Sequence, residues 1–350
     1  MKSGLILVVA LATASAIGGD RAQATQPAPG HSRSGPLAPQ TAAATIVLDD
    51  MRNFSAALSK IKRGGDATAI IKSSYIDRAS PGLRAFMQRR RMTAQDLANA
   101  IASRPAYYAA LANIWSRPER PMYKIKSAIA GLQRLYPQTQ LLPIYIFVGN
   151  STAGGLADPA GVLISAELYG DAKGVGLSEL SARPSSVRKL DDIGYLAVHE
   201  TVHIQQAIAQ GPETYMRLFN GGTLLQLAIR EGSADYLAQL ASGGHTNPAA
   251  HAFGKANEKE VWRAFQQDMH GKKVEGWLAG RSARPGWPIG MGYFVGYKIT
   301  EAYFRNSRSG AEAIRDVLAV TDYEKFLRAS RYGDSSREQA TRAGAANRKR

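Results

Sequence analysis

The residues best suited to chemistry lie in the segment His199-Glu-Thr-Val-His203. Positions four apart share one face of a helix, so His199 and His203 can present two imidazoles to a single metal ion. Glu200 lies about 100° round the same helix, where its carboxylate can reach a water molecule at that ion. The pattern therefore predicts a Zn²⁺ site with Glu200 as the general base. A hydrogen-bonded pair of core histidines is the alternative.

A catalytic zinc site usually has a third protein ligand and keeps one position open for water. One protease class takes a histidine six residues after the second ligand, but Gln206 and Ala209 stand where its Gly and His are needed. A second class takes an aspartate, and Gln226 occupies that position. A glutamate remains, and Glu231 follows His203 on a predicted helix. A His, His, Glu ligand set is therefore expected.

Asp235 lies four residues after Glu231 and hence on the same helical face. Its carboxylate can accept the outer ring N–H of a ligand histidine, which would orient that imidazole and raise its basicity. Both acids could instead be solvated helix charges. His245, Glu258 and Glu260 are the other candidate ligands.

A hydrolytic reaction also needs a donor for the developing negative charge on the attacked oxygen. Four side chains are candidates for this role: Tyr293, Tyr297, His245 and His251. Each tyrosine could equally be a packed core aromatic. The run 161–165 is expected to be either an edge strand that pairs with an extended peptide or a plain strand of the sheet.

The elements that position these residues follow from the periodicity of the chain. Apolar residues recur at three- and four-residue steps from 45 to 136, starting at Ile46, which predicts an all-helical N-terminal part. Two β-rich runs, 141–148 and 161–165, predict paired strands with a loop at 154–159 between them. Helices are predicted over 191–206, 212–219, 223–240, 258–269 and 296–304. The expected fold class is α+β, mainly helical, with a small antiparallel or mixed sheet.

Three motifs together resemble a known family. His199-Glu-x-x-His203, Glu231-Gly-x-Ala-Asp235 and the segment 292–299 are similar to a bacterial family of predicted zinc-dependent proteases, itself distantly similar to gliding-motility lipoproteins. The resemblance spans about 83–332 and implies a zincin-like fold of the gluzincin type, in which an active-site helix, a glutamate helix and a small sheet surround the metal. The chain has no Cys to acylate, so a lipid anchor does not carry over.

The activity that the resemblance implies is zinc-dependent hydrolysis of peptide bonds, with a peptide or protein as substrate. Two alternatives stay open. One is a zinc hydrolase that acts on a non-peptide envelope amide, and the other is a non-catalytic zinc-binding envelope protein.

The chain divides into five predicted segments. The apolar run 5–17, behind Lys2, is too short to cross a bilayer and is typical of a secretory signal. The segments are a signal peptide (1–24, cleaved near Ala24), a disordered Pro-rich linker (25–40), a helical part (41–136), a metallopeptidase domain (137–332) and a basic flexible tail (333–350). A periplasmic or secreted protein is expected, with no transmembrane span in the mature chain.

The net charge of +16 suggests which partners the exported chain meets. Anionic envelope surfaces are expected partners, whereas nucleic acid is not, because the basic residues are dispersed and carry no interleaved aromatic motif. The cluster Arg89-Arg90-Arg91 is expected to form a solvated helix face or a docking patch. The absence of Cys excludes disulfides, a thiol nucleophile and a Cys metal site.

Overall fold

The computed structural model describes residues 43–180, 187–245, 247–280 and 282–334. The predicted signal peptide (1–24), the linker (25–40) and nearly all of the predicted tail (333–350) lie outside these residues. Within the described part, no helix combines the length and the apolar character needed to cross a bilayer.

The described chain is mainly helical and carries one small mixed sheet, as the sequence predicts. The strands are β1 (Ile46–Val47), β2 (Ile144–Phe147), β3 (Gly155–Asp158) and β4 (Gly161–Ser165). The helices are α1 (Asp49–Lys62), α2 (Ala67–Ser74), α3 (Pro81–Arg90), α4 (Ala94–Ser103), α5 (Pro105–Ser116), α6 (Glu119–Leu135), α7 (Ile193–Gln210), α8 (Pro212–Gly221), α9 (Leu224–Ser242), α10 (Pro248–Ala256), α11 (Glu258–Asp268), α12 (Met291–Asn306), α13 (Gly310–Leu318) and α14 (Tyr323–Ser330).

The sheet has the strand order β1-β2-β4-β3. β2 and β4 pair in parallel, with Ile144 opposite Val162, and every residue of both strands is buried. Such continuous apolar runs are typical of parallel strands covered on both faces. β3 pairs with β4 in antiparallel fashion, with Gly155 opposite Ile164, and forms an edge of the sheet.

The strands settle one open alternative and correct one prediction. The run 161–165 is the interior strand β4, so of its two expected roles the structure shows the plain strand of the sheet and not the edge strand. The edge is β3, inside the segment 154–159 that the sequence predicts as a loop. Gly155-Leu-Ala-Asp158 has no β-branched residue, and its Gly-Gly and Asp-Pro flanks are strong turn signals. Tertiary pairing with β4 outweighs these local preferences.

Ile46 was also assigned wrongly to a helical pattern. It lies in the two-residue strand β1, which pairs in parallel with β2 opposite Ile144, and α1 begins only at Asp49. Two residues are too few to show the alternation that marks a strand.

The expected solvated face at 89–91 is wrong for Arg89. Its Nε lies 2.7 Å from Oδ2 of Asp158, and both side chains are largely buried. The ion pair ties the end of α3 to the end of β3. Arg91 is exposed, as predicted.

The long helices α7 and α9 pack against each other, and α9 also packs against α12. At the second crossing the two backbones touch, because Gly232 of α9 faces Gly296 of α12. A Cβ on either glycine would overlap the backbone of the other helix. Residues from the N-terminal helices, the sheet and the C-terminal helices form one hydrophobic cluster, and α7 runs through it.

Candidate metal centre

Three side chains from α7 and α9 converge on one point. His199 and His203 lie one turn apart on α7, and Glu231 comes from the middle of α9. The two Nε2 atoms are 3.1 Å apart. Oε2 of Glu231 lies 3.2 Å from Nε2 of His203 and 3.4 Å from Nε2 of His199. All three residues are buried.

This triangle has the size that a tetrahedral zinc site requires. Ligand atoms about 2.0–2.1 Å from a tetrahedral ion are about 3.3–3.4 Å apart, close to the three edges found here. Two histidines and a glutamate are also a ligand set of catalytic zinc sites that keep one position open. Among the described residues, these three are the group of histidines and acids that could hold a metal ion.

The outer nitrogen of His199 is held by Asp235, whose Oδ1 lies 2.8 Å from Nδ1. Burial opposes protonation of this imidazole, but hydrogen bonds to Asp235 and Glu231 outweigh it and raise the pKa of His199 to about 10. The contact with Asp235 orients the ring and directs Nε2 toward the other two ligand atoms.

The outer nitrogen of His203 is held by Gln206, whose Oε1 lies 2.8 Å from Nδ1. The amide of Gln206 can be oriented because its Nε2 donates to the carbonyl of Arg230 at 3.1 Å and to Oγ of Ser233 at 2.9 Å. Its oxygen must then accept from Nδ1–H of His203. Both imidazoles therefore offer Nε2 to a metal.

Glu231 is oriented by its neighbour Arg230. The guanidinium Nε lies 3.1 Å from Oε1 of Glu231, and Nη2 contacts the same oxygen. The planar group stacks on Tyr215 and Phe219, at 5.3 and 5.0 Å from the ring centroids. Burial raises the pKa of Glu231, but the charges of His203 and Arg230 outweigh burial and hold this pKa well below its usual value. Glu231 is thus an ionised ligand whose Oε2 is directed at the imidazoles.

Glu200 lies beneath the edge strand. A Cβ added to Gly155 of β3 would sit 2.7 Å from Oε1 of Glu200, so the strand can lie this close only because the residue is glycine. Burial raises the pKa of Glu200, and the charges of His199 and His203 lower it only in part. A buried carboxylate with a raised pKa beside a metal site has the properties of a general base.

A comparison with known families agrees with this geometry. Residues 162–324, just under half of the chain, match the family described as "Predicted Zn-dependent protease (DUF2268)". The match contains all three residues of the triangle, together with Glu200 and Asp235. No curated protein and no solved structure matched the chain.

Of the expected charge-stabilising donors, Tyr293 lies nearest to the triangle. Its ring centroid is 6.4 Å from that of His199. The pKa of Tyr293 is well above its usual value, mainly because of the negative charge of Glu231 and secondly because of burial. Its hydroxyl therefore keeps its proton. A neutral hydroxyl beside the metal ligands can donate a hydrogen bond to an oxyanion.

The other expected donors form a separate cluster. The hydroxyl of Tyr297 donates to Oε1 of Gln239, and its ring packs against His245 and His251, at 5.8 and 4.7 Å between centroids. The rings of His245 and His251 are 3.8 Å apart. Tyr195 lies between this cluster and the ligands, because its ring stacks on both His199 and His245.

The two remaining candidate ligands belong to α11. Oε2 of Glu258 lies 3.7 Å from Nζ of Lys298, and Glu260 is exposed. Neither acid joins the triangle.

Sequence reasoning missed three residues of the site: Gln206, Arg230 and Gly155. Gln206 follows His203 by three residues in an apolar helix, so the two side chains share one helical face. This spacing could have predicted the contact between them. Arg230 directly precedes a candidate ligand in an equally apolar helix, where a charge needs a partner. Gly155 carried no signal, because its role depends on the pairing of β3.

Proposed function

We propose that this protein is a zinc-dependent metallopeptidase. The observation that supports this most strongly is the triangle of His199, His203 and Glu231, in which each ligand side chain has its orientation fixed by a further hydrogen bond. The family match supports a zinc-dependent hydrolase in general. Peptide as the substrate and the roles of the individual residues are our inference.

The three residues of the triangle would hold Zn²⁺, which when bound acts as a Lewis acid toward a carbonyl and lowers the pKa of water. Glu200 then accepts the proton of the attacking water and returns it to the departing amine. The hydroxyl of Tyr293 donates to the oxygen on which charge develops. Asp235 keeps the imidazole of His199 in the tautomer that leaves Nε2 free.

The edge strand supports a peptide as substrate. β3 pairs with β4 along one side only, and within the described residues no strand pairs with its other side. An extended peptide can add to such an edge through main-chain hydrogen bonds. Since Gly155 lies directly over Glu200, a peptide bound along β3 would have its backbone next to the base.

Metal content and hydrolysis, measured on the same purified full chain, test this proposal. We expect about one zinc per chain and cleavage of a pool of peptides from a digested proteome. Glu200→Gln should keep the zinc and lower the hydrolysis rate by about 100-fold or more, because general-base catalysis contributes about 10²- to 10⁴-fold. His199→Ala should lose the zinc.

The control is Glu213→Gln, at an exposed acid in the first turn of α8. A chain that binds zinc yet cleaves nothing, with Glu200→Gln indistinguishable from the unaltered chain, would show a non-catalytic zinc protein and contradict the proposal.

We further infer that the protein acts in the periplasm or outside the cell. This rests on the apolar run 5–17 followed by the Ala22-Gln-Ala24 cleavage point. Mass spectrometry of the exported protein should find an N-terminus near Thr25. An intact N-terminus on a chain recovered from the cytoplasm would refute the location.

A further inference from the structure

Arg90, the last residue of α3, is a half-buried cation without an acidic partner. Its Nε is buried and makes no hydrogen bond, and among the described residues no carboxylate forms an ion pair with it. The carboxylate of Asp158 is already paired with the neighbouring Arg89 and does not serve Arg90. Partial burial of an unpaired charge costs free energy, which a bound anion would recover.

Arg90 lies beside the edge strand that covers the base. Its carbonyl oxygen accepts from Nδ2 of Asn150, in the loop that leads to β3, at 3.5 Å. Burial and the charge of Arg89 lower the pKa of Arg90, while the charge of Glu200 raises it. The hydrogen bonds of Arg89 to Asp158 and of Asn150 to the Arg90 carbonyl place Arg90 beside β3, the strand that lies over Glu200.

The other arginines around the site already have partners. Arg230 is bound to Glu231 through Nε and Nη2, although its buried Nη1 has no hydrogen-bond partner, and Nη1 of Arg188 donates to the hydroxyl of Tyr169 at 3.1 Å. Unlike these two arginines, Arg90 has, among the described residues, neither an ion-pair partner nor a hydrogen-bond partner for its buried Nε.

We propose that Arg90 binds a carboxylate of the peptide substrate, so that the protein prefers peptides with an acidic group at a fixed distance from the cleaved bond. A guanidinium recognises a carboxylate through two parallel hydrogen bonds, which gives position as well as charge. The carboxylate can belong to an Asp or Glu side chain or to the C-terminus of a short peptide. This inference rests on the proposed peptidase function and names its substrate class.

The first experiment compares cleavage of one proteome-derived peptide pool, supplied with free C-termini and with amidated C-termini. The zinc-loaded full chain should cleave peptides that share an acidic group at one position relative to the new ends. An enrichment of Asp and Glu that survives amidation identifies a side chain, and an enrichment lost on amidation identifies the C-terminus. Cleavage without an enrichment in either pool overturns the inference.

Matched variants assign the preference to Arg90. Arg90→Gln should lower kcat/KM for the preferred peptides by about tenfold or more, mainly through KM, as expected for loss of a hydrogen bond to a charged group. Neutral peptides should be cleaved at unchanged rates. Arg90→Lys should recover part of the preference, and Arg91→Gln, at the exposed neighbour, should keep all of it. An equal loss for acidic and neutral peptides, seen in kcat, would mean that Arg90 acts on Glu200 and would overturn the inference.

A binding measurement separates this inference from the proposed function. Dye-labelled decapeptides are titrated into the Glu200→Gln chain and followed by anisotropy. They differ only in Glu or Gln at the preferred position, or at each position in turn if nothing is cleaved, and each is supplied with a free and with an amidated C-terminus. Tighter binding of the Glu peptide, abolished by adding Arg90→Gln, supports the inference even if the unaltered chain hydrolyses nothing. Equal binding of all Glu and Gln peptides, together with equal binding of the free and amidated forms, overturns it even if hydrolysis is observed.

Discussion

Replacement of Gly232 by Ala should weaken both the fold and the metal centre. A Cβ at this position would lie 2.5 Å from Cα of Gly296, whereas 3.4 Å is the start of ordinary contact. The obstacle is helix backbone, which cannot rotate aside, so α9 and α12 must separate by about 0.9 Å at this crossing. Overpacking of this kind costs about 3 kcal/mol, and Tm should fall by about 5 °C for a chain of this size.

The metal centre should respond because Glu231 is the residue next to Gly232 on α9. Ligand distances in a zinc site are met to within about 0.2 Å, so a displacement of α9 several times larger weakens binding. We expect zinc affinity to fall by about tenfold or more, measured by competition with a chromophoric chelator, alongside Tm from thermal unfolding.

Gly221→Ala is the matched control for this substitution. Gly221 is the last residue of α8, and an added Cβ there meets no atom within 4 Å. Alanine is the better helix former by about 0.8–1.0 kcal/mol, so Tm should stay or rise. If Gly232→Ala behaves like Gly221→Ala in both measurements, the backbone contact between α9 and α12 does not exist as described.

Three further predictions concern the ligands. Asp235→Asn should lower zinc affinity by about 10- to 100-fold in a chelator competition, because the partner of His199 loses its charge; unchanged affinity would remove Asp235 from the site. In the metal-free chain, protonated His199 stabilises the fold, because its pKa is raised from 6.5 to about 10. This contribution is complete below pH 6.5 and is lost as the pH rises through about 10. Zinc must displace the extra proton of His199, so the affinity for zinc should rise about tenfold per pH unit between pH 7 and 9. Calorimetry should detect the release of one proton on binding. A zinc affinity that does not change with pH would contradict this protonation of His199. Arg230→Met leaves the buried carboxylate of Glu231 without its cation and should lower the free energy of unfolding in urea by about 3 kcal/mol, with Arg230→Lys only partly restoring it; an unaltered value would show that the pair is not coupled.

The three candidate ligands named from the sequence lie close together in the structure, and two of them rest on local spacing. His199 and His203 are four residues apart on an apolar helix, so their shared face follows from helix geometry alone. Glu231 required an elimination of other ligand types, and Asp235 then followed from the same four-residue rule. The long helices that carry these residues were also predicted from the sequence, because 191–206 and 223–240 are rich in apolar residues.

What the sequence did not predict depends on contacts between distant segments. The edge strand β3 exists because β4 pairs with it, and its own composition favours a turn. Arg89 and Asp158 are 69 residues apart, so no local pattern connects them. Gln206 was considered only as a reason to exclude one protease class, and its contact with His203 becomes visible once the ring nitrogens are located.

The metal ligands and the edge strand are encoded in different stretches of the chain. His199, His203 and Glu231 lie within 162–324, whereas β3 and the end of α3 come before it. In the proposed peptidase, substitutions at 87–91 and 156–158 would therefore alter which peptide is accepted while the ligand set, and Gly155 over the base, stay intact. Directed evolution confined to these two short windows is the natural way to engineer new selectivity onto this scaffold.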